Sequence, residues 1–208
     1  MDDKSLKEKY ISRLDTLGSL RDKLSHETMR ALEGLRHIDR VYFRVKEADS
    51  FIKKALNPQN APPYKFPLTE IEDQVAGRVI VFFREDLDIV KERLERIFNP
   101  IEFERRRPPA DVEFGYESNH MICIIPPQVK SGDWENRDDL PQTFEVQIRT
   151  IFMHAYAEPQ HDFAYKSVQQ LPSDIRRELA WIGASAWGAD QAYQRIYDWS
   201  KEVNPVEQ

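Results

Sequence analysis

The chain has 208 residues, of which 40% are hydrophobic and 32% are charged, with a formal net charge of −6. This composition allows a buried core, no apolar run reaches the ~18 residues of a membrane span, and the acidic balance disfavours a general DNA binder. The first residues lack the apolar segment of a secretory signal. The single cysteine, Cys123, excludes an intrachain disulfide, so we expect a cytoplasmic protein.

The elements predicted in chain order form an α+β pattern with a mixed sheet and helices at both ends. Helices are predicted at 4–33 (one long or two short), 45–56, 85–98, 150–166 and 173–201, the last broken or bent near Gly183–Gly188. Strands are predicted at 78–83, 119–125 and 143–149, with an edge strand at 101–105. Loops are predicted at 57–69, 107–118 and 126–142.

Basic residues are concentrated at the start of the chain. Residues 1–60 contain 13 Lys and Arg against 10 Asp and Glu, a net of +3, so the whole-chain −6 leaves −9 for residues 61–208. On a helix over 45–55, one side carries three lysines and a serine: Lys46, Ser50, Lys53 and Lys54. Lysines one turn apart repel each other unless an anion lies between them. The pattern predicts either a triphosphate site or an ordinary solvated face.

Arg44 would fall within the apolar arc of that helix if the helix were extended backwards. We therefore expect Arg44 to precede the helix or to lie at a pocket edge, where its guanidinium could stack on a flat ring.

Two carboxylates are placed next to predicted strands. Asp73 stands just before the most apolar strand, and Glu145 lies on a strand whose polar face also carries Gln147 and Arg149. Mg²⁺ bound to nucleotide phosphates usually takes one or two protein carboxylates, which this pair would supply. The alternative is a solvent-facing strand with Glu–Arg pairs.

Two further segments carry polar and aromatic groups. Tyr116, Ser118 and His120 alternate into a strand, a pattern that suits either a base-stacking pocket or a tyrosine packed at a turn. The helix that follows Glu145 places three candidate ligands on one face: His154, Glu158 and His161. A zinc site on that face is disfavoured, because no fourth ligand is apparent in the sequence.

Five segments in order resemble the synthetase domain of the RelA/SpoT family, especially the small alarmone synthetases. The matching residues are Arg44, Lys46, Ser50 and Lys54; Asp73 and Arg78; Gly115, Tyr116, Ser118 and His120; Glu145, Gln147, Arg149 and Thr150; and His154, Glu158, His161, Tyr165 and Lys166. The resemblance implies a nucleotidyltransferase-like fold, with a mixed five-stranded sheet flanked by helices. It also implies one synthetase-like domain over 1–208, with its motif core at about 35–170 and helical extensions at 1–34 and 171–208.

The same resemblance implies a cytoplasmic GTP/GDP pyrophosphokinase of the stringent response, which uses ATP and Mg²⁺ to make (p)ppGpp. Arg44 and Arg78 would sandwich the adenine of ATP. Its phosphates would be held by Lys46, Ser50 and Lys54. Asp73 and Glu145 would bind Mg²⁺, with Glu145 also the base for the 3′-hydroxyl. The acceptor nucleotide would contact Tyr116, which stacks on its guanine, and Ser118, His120, Gln147, Arg149 and His154.

The sequence departs from the family pattern at two points: it lacks the Pro-Lys pair common before Gly115, and Gln160 stands where many relatives have Glu. A chain of this length is also not expected to hold the family's hydrolase part. Two other functions stay open. One is a toxic synthetase with an antitoxin partner that modifies the tRNA 3′ end or makes adenosine alarmones. The other is an inactive nucleotide sensor.

A tRNA acceptor could dock on a basic stripe in the first helical region, made of Lys4, Lys7, Lys9, Arg13, Arg21 and Lys23. The acidic balance of residues 61–208 favours a free guanine nucleotide instead, because tRNA binding draws on many phosphate contacts. The acceptor, the allosteric effectors and the oligomeric state, including any homo-oligomer, are left open by the sequence.

Overall fold

The computed structural model describes residues 3–60, 62–106, 114, 118–132, 134, 137–163 and 171–203, without the side chains of 106 and 161–163. Its strands are β1 (Ile38–Val45), β2 (Val75–Val81), β3 (Asn99–Arg106), β4 (Ser118–Ile124) and β5 (Thr143–Thr150). Its helices are α1 (Asp3–Ile11), α2 (Leu14–Ala31), α3 (Ala48–Ala55), α4 (Pro67–Glu70), α5 (Glu85–Glu95), α6 (Ile151–Phe163) and α7 (Ser173–Val203). No helix among these described residues is long and apolar enough to cross a membrane.

The strands form one mixed sheet in the order β1-β2-β5-β4-β3. Strands β2 and β5 pair in parallel, and the other neighbours pair antiparallel. The α+β class with a mixed five-stranded sheet flanked by helices is therefore confirmed. The edge strand predicted at 101–105 is also confirmed, as β3.

One face of the sheet is apolar and packs against helices. On β5 this face carries Phe144, Val146 and Ile148, all completely buried, as the alternation of the sequence predicts. Leucines of α2 and α5 belong to the same core. Because the helices cover this face, the polar side chains of β5, namely Glu145, Gln147 and Arg149, lie on the other face, where the site is formed.

Gly77 on β2 permits a close approach within the apolar layer. It pairs with Phe43 of β1, and a Cβ at Gly77 would lie 2.3 Å from the Phe43 ring. The ring therefore occupies the space that any other residue's Cβ would need.

Two predicted helices are corrected. The segment 45–56 was expected to be helical throughout, but Ile38–Val45 is strand β1 and helix α3 starts only at Ala48. The β-branched and aromatic residues of 38–45 gain more by pairing with β2 than by extending the helix. Lys46 therefore precedes the helix instead of lying on its face. Helix α7 also runs without a break through Gly183 and Gly188, because its packing outweighs the helix cost of glycine.

Candidate active site

The polar face of the sheet carries five of the predicted site residues in two rows that cross all five strands. The first row pairs Tyr42, Arg78, Gln147, His120 and Glu104 across neighbouring strands. The second row pairs Arg44, Ala76, Glu145, Ile122 and Glu102 in the same way. Positions that are distant in sequence are thus neighbours on one surface.

Asp73 lies at the start of this surface, just before strand β2. It belongs to the 3₁₀ turn Glu72–Gln74 that leads into β2. Lys46 Nζ donates to Asp73 Oδ2 at 2.6 Å, and Lys54 Nζ donates to Oδ1 at 3.0 Å. Burial acts to raise the pKa of Asp73, but the two ammonium groups outweigh it and hold the pKa below its ordinary value. The carboxylate is therefore charged and joins the two lysines in one cluster.

Glu145 is buried at the centre of the surface. His120 Nδ1 contacts Glu145 Oε1, and Gln147 Nε2 donates to Oε2 at 3.0 Å. Burial acts to raise the pKa of Glu145, but the hydrogen bond and charge of His120 lower it below the usual range. Glu145 is thus a charged carboxylate whose orientation is fixed by two neighbouring side chains.

Arg78 and Arg44 lie on diagonal positions of the β1–β2 pair, because Arg44 pairs with Ala76. The Arg78 guanidinium is held by the Tyr42 hydroxyl and by Glu158 of α6, and its Nε donates to Gln147 Oε1 at 3.3 Å. Arg44 is exposed. Diagonal neighbours on one face are about 7–8 Å apart, which is enough for a flat ring between two guanidinium planes.

Two of the predicted acceptor residues that the structure describes, Arg149 and Ser118, adjoin Gln147 on β5. Arg149 is almost fully buried; its Nε donates to Ser118 Oγ at 3.1 Å and its Nη2 to Gln147 Oε1 at 2.6 Å. His154 lies on α6 with Nδ1 3.7 Å from Glu158 Oε2. Its pKa is lowered by burial and by the nearby guanidinium groups, so a neutral imidazole is favoured.

Some of the predicted residues cannot be placed. Gly115, Tyr116, Tyr165 and Lys166 lie outside the described residues, as does the side chain of His161. Ser50 is exposed on the first turn of α3, between Lys46 and Lys54 in sequence. Of the thirteen predicted site residues, the structure therefore describes all but Tyr116.

Asp73 and Glu145 open into one small cavity of about 80 Å³, together with Lys54 and His120. Among the described residues, no three His, Cys, Asp or Glu side chains converge to hold a metal ion by themselves. Two carboxylates beside one cavity nevertheless fit Mg²⁺, which completes its shell with phosphate oxygens and water. The donor set suits a metal–polyphosphate ligand better than zinc.

Two buried side chains near the N-terminus, Tyr10 on α1 and Arg13 in the turn before α2, support this site and were not predicted. Tyr10 stacks on Phe51 at 4.0 Å and donates its hydroxyl proton to the Lys46 carbonyl at 2.7 Å. Arg13 is completely buried and donates to Gln74 Oε1 at 2.8 Å, to Leu68 O at 3.1 Å and to the Asp139 carbonyl. Burial lowers the pKa of Arg13 to about 10, so it stays charged near neutral pH.

A sequence signal for Arg13 was present. It stands three residues after Tyr10 and four before Leu17, on the buried stripe of the helical region, where a charged side chain needs a partner. The interpretation of Arg13 as part of an exposed tRNA-docking stripe is therefore corrected. Lys7 of the same stripe forms an ion pair with Asp49 at 2.5 Å.

Replacing Arg13 with Met should lower the free energy of unfolding by about 3 kcal/mol, because three acceptors around a buried guanidinium lose their charged donor. Chemical denaturation measures this change. The matched control is Arg21→Met on α2, whose guanidinium pairs with the exposed Asp22 and should change stability by less than about 0.5 kcal/mol. Equal stability of the two variants would contradict the structural role of Arg13.

A cleft with two carboxylates and several cations on one face of a mixed sheet defines a class of site that binds metal–polyphosphate ligands. Residues 43–170 match the family described as "Region found in RelA / SpoT proteins". The GTP pyrophosphokinase YjbM of Bacillus subtilis (strain 168) is 30% identical over 164 residues, which cover 76% of this chain and 72% of that protein. The chain belongs to the RelA/SpoT family.

Solved structures share the fold. The small alarmone synthetase 1 from Bacillus subtilis gives a TM-score of 0.76 at 22% identity, over 94% of this chain and 99% of that one. The structure of that enzyme bound to its product pppGpp gives a TM-score of 0.70 at 21% identity, over 93% and 97% of the two chains.

Proposed function

We propose that this chain is a GTP/GDP pyrophosphokinase, which transfers pyrophosphate from ATP to the ribose 3′-hydroxyl of GDP or GTP and makes (p)ppGpp. The observation that carries the proposal is the charged, oriented carboxylate of Glu145 beside the Asp73–Lys46–Lys54 cluster on one sheet face. The relative that is 30% identical to this chain is itself named a GTP pyrophosphokinase. ATP and guanine nucleotides are cytoplasmic metabolites, so we place the reaction there.

The ATP side of the site is formed by residues from β1, α3 and β2. The adenine lies between the guanidinium groups of Arg44 and Arg78, whose diagonal positions leave room for one ring. Lys46, Ser50 and Lys54 hold the phosphates near the first turns of α3. Both lysines pair with Asp73, which places their ammonium groups close together.

Asp73 and Glu145 are the residues that would hold Mg²⁺. When bound, the ion neutralises the charge on the transferring pyrophosphoryl group and orients it. Both carboxylates are ionised, since the pKa of each lies below its ordinary value. They are therefore ready to accept a cation without first losing a proton.

The transfer needs one proton acceptor. The 3′-oxygen of the acceptor forms a bond to the β-phosphorus of ATP, the bond from that phosphorus to the α-phosphate oxygen breaks, and AMP leaves. Glu145 takes the 3′-hydroxyl proton, and His120 and Gln147 hold its carboxylate in place. These two hydrogen bonds orient the base along β5.

The acceptor nucleotide occupies the side of the face beyond Gln147. Arg149, Ser118 and His154 supply polar contacts there, and Tyr116 supplies the stacking platform for guanine, worth about 1–3 kcal/mol. A tRNA acceptor is less favoured, because Arg13, one residue of the basic stripe that could dock tRNA, is buried in the core and cannot contact a phosphate. The remaining basic residues of α1 and α2 are interspersed with acids of the same helices.

The test of the function is incubation with γ-labelled ATP and Mg²⁺ against GDP, GTP, AMP, ATP and bulk tRNA in parallel. We expect label in the 3′-pyrophosphate of GDP or GTP together with release of AMP. Label in tRNA that is abolished by reversing Lys4 and Lys9 would identify a tRNA-modifying toxin instead. Nucleotide binding with no transfer to any acceptor would identify a sensor.

The phosphate assignment makes a separate prediction. Lys46→Ala and Lys54→Ala should each raise the KM for ATP by about 10- to 150-fold, the loss expected for one charge-assisted contact of 1.5–3 kcal/mol. The KM for the acceptor should change little. Lys53→Ala is the matched control, because Lys53 is adjacent but exposed. An effect confined to the KM for the acceptor would show that the ATP pocket and the acceptor pocket are assigned the wrong way round.

A further inference from the structure

The guanidinium of Arg78 is held by residues from three different elements. The hydroxyl of Tyr42 on β1 and the carboxylate of Glu158 on α6 both accept from its Nη1, and its Nε donates to Gln147 Oε1 on β5 at 3.3 Å. These three residues form a clamp around Arg78, whose side chain is only 7% exposed. Tyr42 and Glu158 have no part in the proposed reaction.

The clamp is fixed in place by the fold on both sides. Tyr42 is the direct cross-strand partner of Arg78, and the Arg78 Cζ lies 5.3 Å from the centre of the Tyr42 ring. On the other side, Thr150 Oγ1 accepts from the Met153 amide at 3.1 Å at the start of α6 and donates to Asp190 Oδ2 at 2.7 Å. This cap sets the position of α6, the helix that carries the clamp carboxylate.

Holding the guanidinium by its edges limits the way in which it can recognise a base. A guanidinium reads guanine by donating two hydrogen bonds from one edge to O6 and N7, the commonest specific contact between arginine and a base. It can also stack with its flat face on any base. The edge contact needs two nitrogens of the same edge, and the clamp occupies Nε and Nη1, so that each edge of Arg78 has lost one. The flat face is what remains for a ligand.

The choice between edge and face matters in an enzyme that binds both adenine and guanine nucleotides. Lys46 and Lys54 are placed to contact phosphates, which ATP and a guanine nucleotide share, so these lysines cannot tell the two apart. An arginine with a free edge in the donor pocket would favour guanine. The clamp removes that preference and leaves a surface that adenine can stack on.

We propose that Tyr42 and Glu158 are positioning residues that set the base specificity of the donor pocket. By holding Arg78 at its edges, they present its flat face to adenine and prevent it from binding the edge of guanine. This inference rests on the proposed donor pocket between Arg44 and Arg78. Both residues act through Arg78 and need no contact with the reacting atoms.

The first test compares Michaelis constants. Tyr42→Phe and Glu158→Ala should each raise the KM for ATP at least about fivefold, the lower end of what stacking on one base contributes, with kcat and the KM for GDP nearly unchanged. Glu158→Gln keeps an oxygen that can accept from Arg78 and should restore part of the loss. A fall in kcat with an unchanged KM for ATP would overturn the proposal.

Two matched controls are available in the chain. Tyr193→Phe removes a hydroxyl from a half-exposed tyrosine of α7, and Glu95→Gln removes the charge of a carboxylate that pairs with Lys91 on α5. Both controls should keep the KM of the wild type for ATP.

The second test measures guanine competition directly. The KM for ATP is determined from initial rates at a series of GDP concentrations. It should stay constant in the wild type, and in Tyr42→Phe and Glu158→Ala it should rise in proportion to GDP, because the released edge of Arg78 then admits guanine to the donor pocket. A KM for ATP that is independent of GDP in both variants would refute the specificity role.

The third test separates positioning of the base from damage to the fold. Calorimetric titration with inorganic tripolyphosphate should give the same affinity in the wild type and in both variants, whereas a non-hydrolysable ATP analogue should bind at least about fivefold more weakly to the variants. An equal loss for both ligands would overturn the proposal. Because binding needs no transfer, a wild type that binds the analogue but modifies no acceptor would refute the proposed reaction and leave this inference standing.

Discussion

Glu145→Gln is expected to lower kcat by about 10²- to 10⁴-fold, the range for loss of a general base. The amide keeps the shape of the carboxylate and can still contact His120 and Gln147, so the fold should be preserved. It carries no charge and cannot accept the 3′-hydroxyl proton. The measurement is the rate of transfer at saturating ATP and GDP, with a melting curve for each protein.

Glu102→Gln is the matched control for that substitution. Glu102 belongs to the same cross-strand row as Glu145 and lines the same cavity, but it is exposed on the edge strand. Its amide variant should retain nearly normal kcat. If both variants lose activity equally, the cavity needs only negative charge and Glu145 is not the base.

Asp73→Asn is expected to abolish transfer while preserving nucleotide binding without metal. Loss of a metal ligand costs several kcal/mol of transition-state stabilisation, which is at least about 100-fold in rate. The same change leaves Lys46 and Lys54 without the carboxylate that now holds them. Their charges then favour a polyphosphate, so a non-hydrolysable ATP analogue should bind without Mg²⁺ at least as tightly as it binds the wild type.

Calorimetric titration of the analogue with and without Mg²⁺ separates these effects. The wild type should bind more tightly when Mg²⁺ is added, and the variant should gain little. Asp49→Asn is the control, since Asp49 is an exposed carboxylate on α3 that pairs with Lys7. Normal Mg²⁺ enhancement in the Asp73 variant would show that its carboxylate is not a ligand.

Local patterns predicted most elements, and the errors have a common cause. Helix α5 and strands β3, β4 and β5 appear where periodicity placed them, with small shifts at their ends. Strand β1 was missed because residues 38–45 alternate weakly, and their strand conformation depends on pairing with β2. The residue pattern before β2 likewise did not predict the 3₁₀ turn that carries Asp73.

The candidate site could be assembled from sequence only as separate motifs. The alternation of β5 correctly placed Glu145, Gln147 and Arg149 on one face, because side-chain direction in a strand has a strict period of two. The pairing of Lys46 and Lys54 with Asp73 could not be deduced in this way. It depends on a turn, a strand end and a helix meeting in space.

By itself, the sequence determined the family, the α+β class and the identity of the charged residues, because these follow from residue type and local spacing. Only the tertiary structure decided that Arg13 is a buried support instead of a surface cation, since burial depends on what packs over a residue. It also decided which faces of α7 are covered. The spacing of residues predicts the helix, but only the fold shows which of its sides is covered, because that depends on the elements that pack against it.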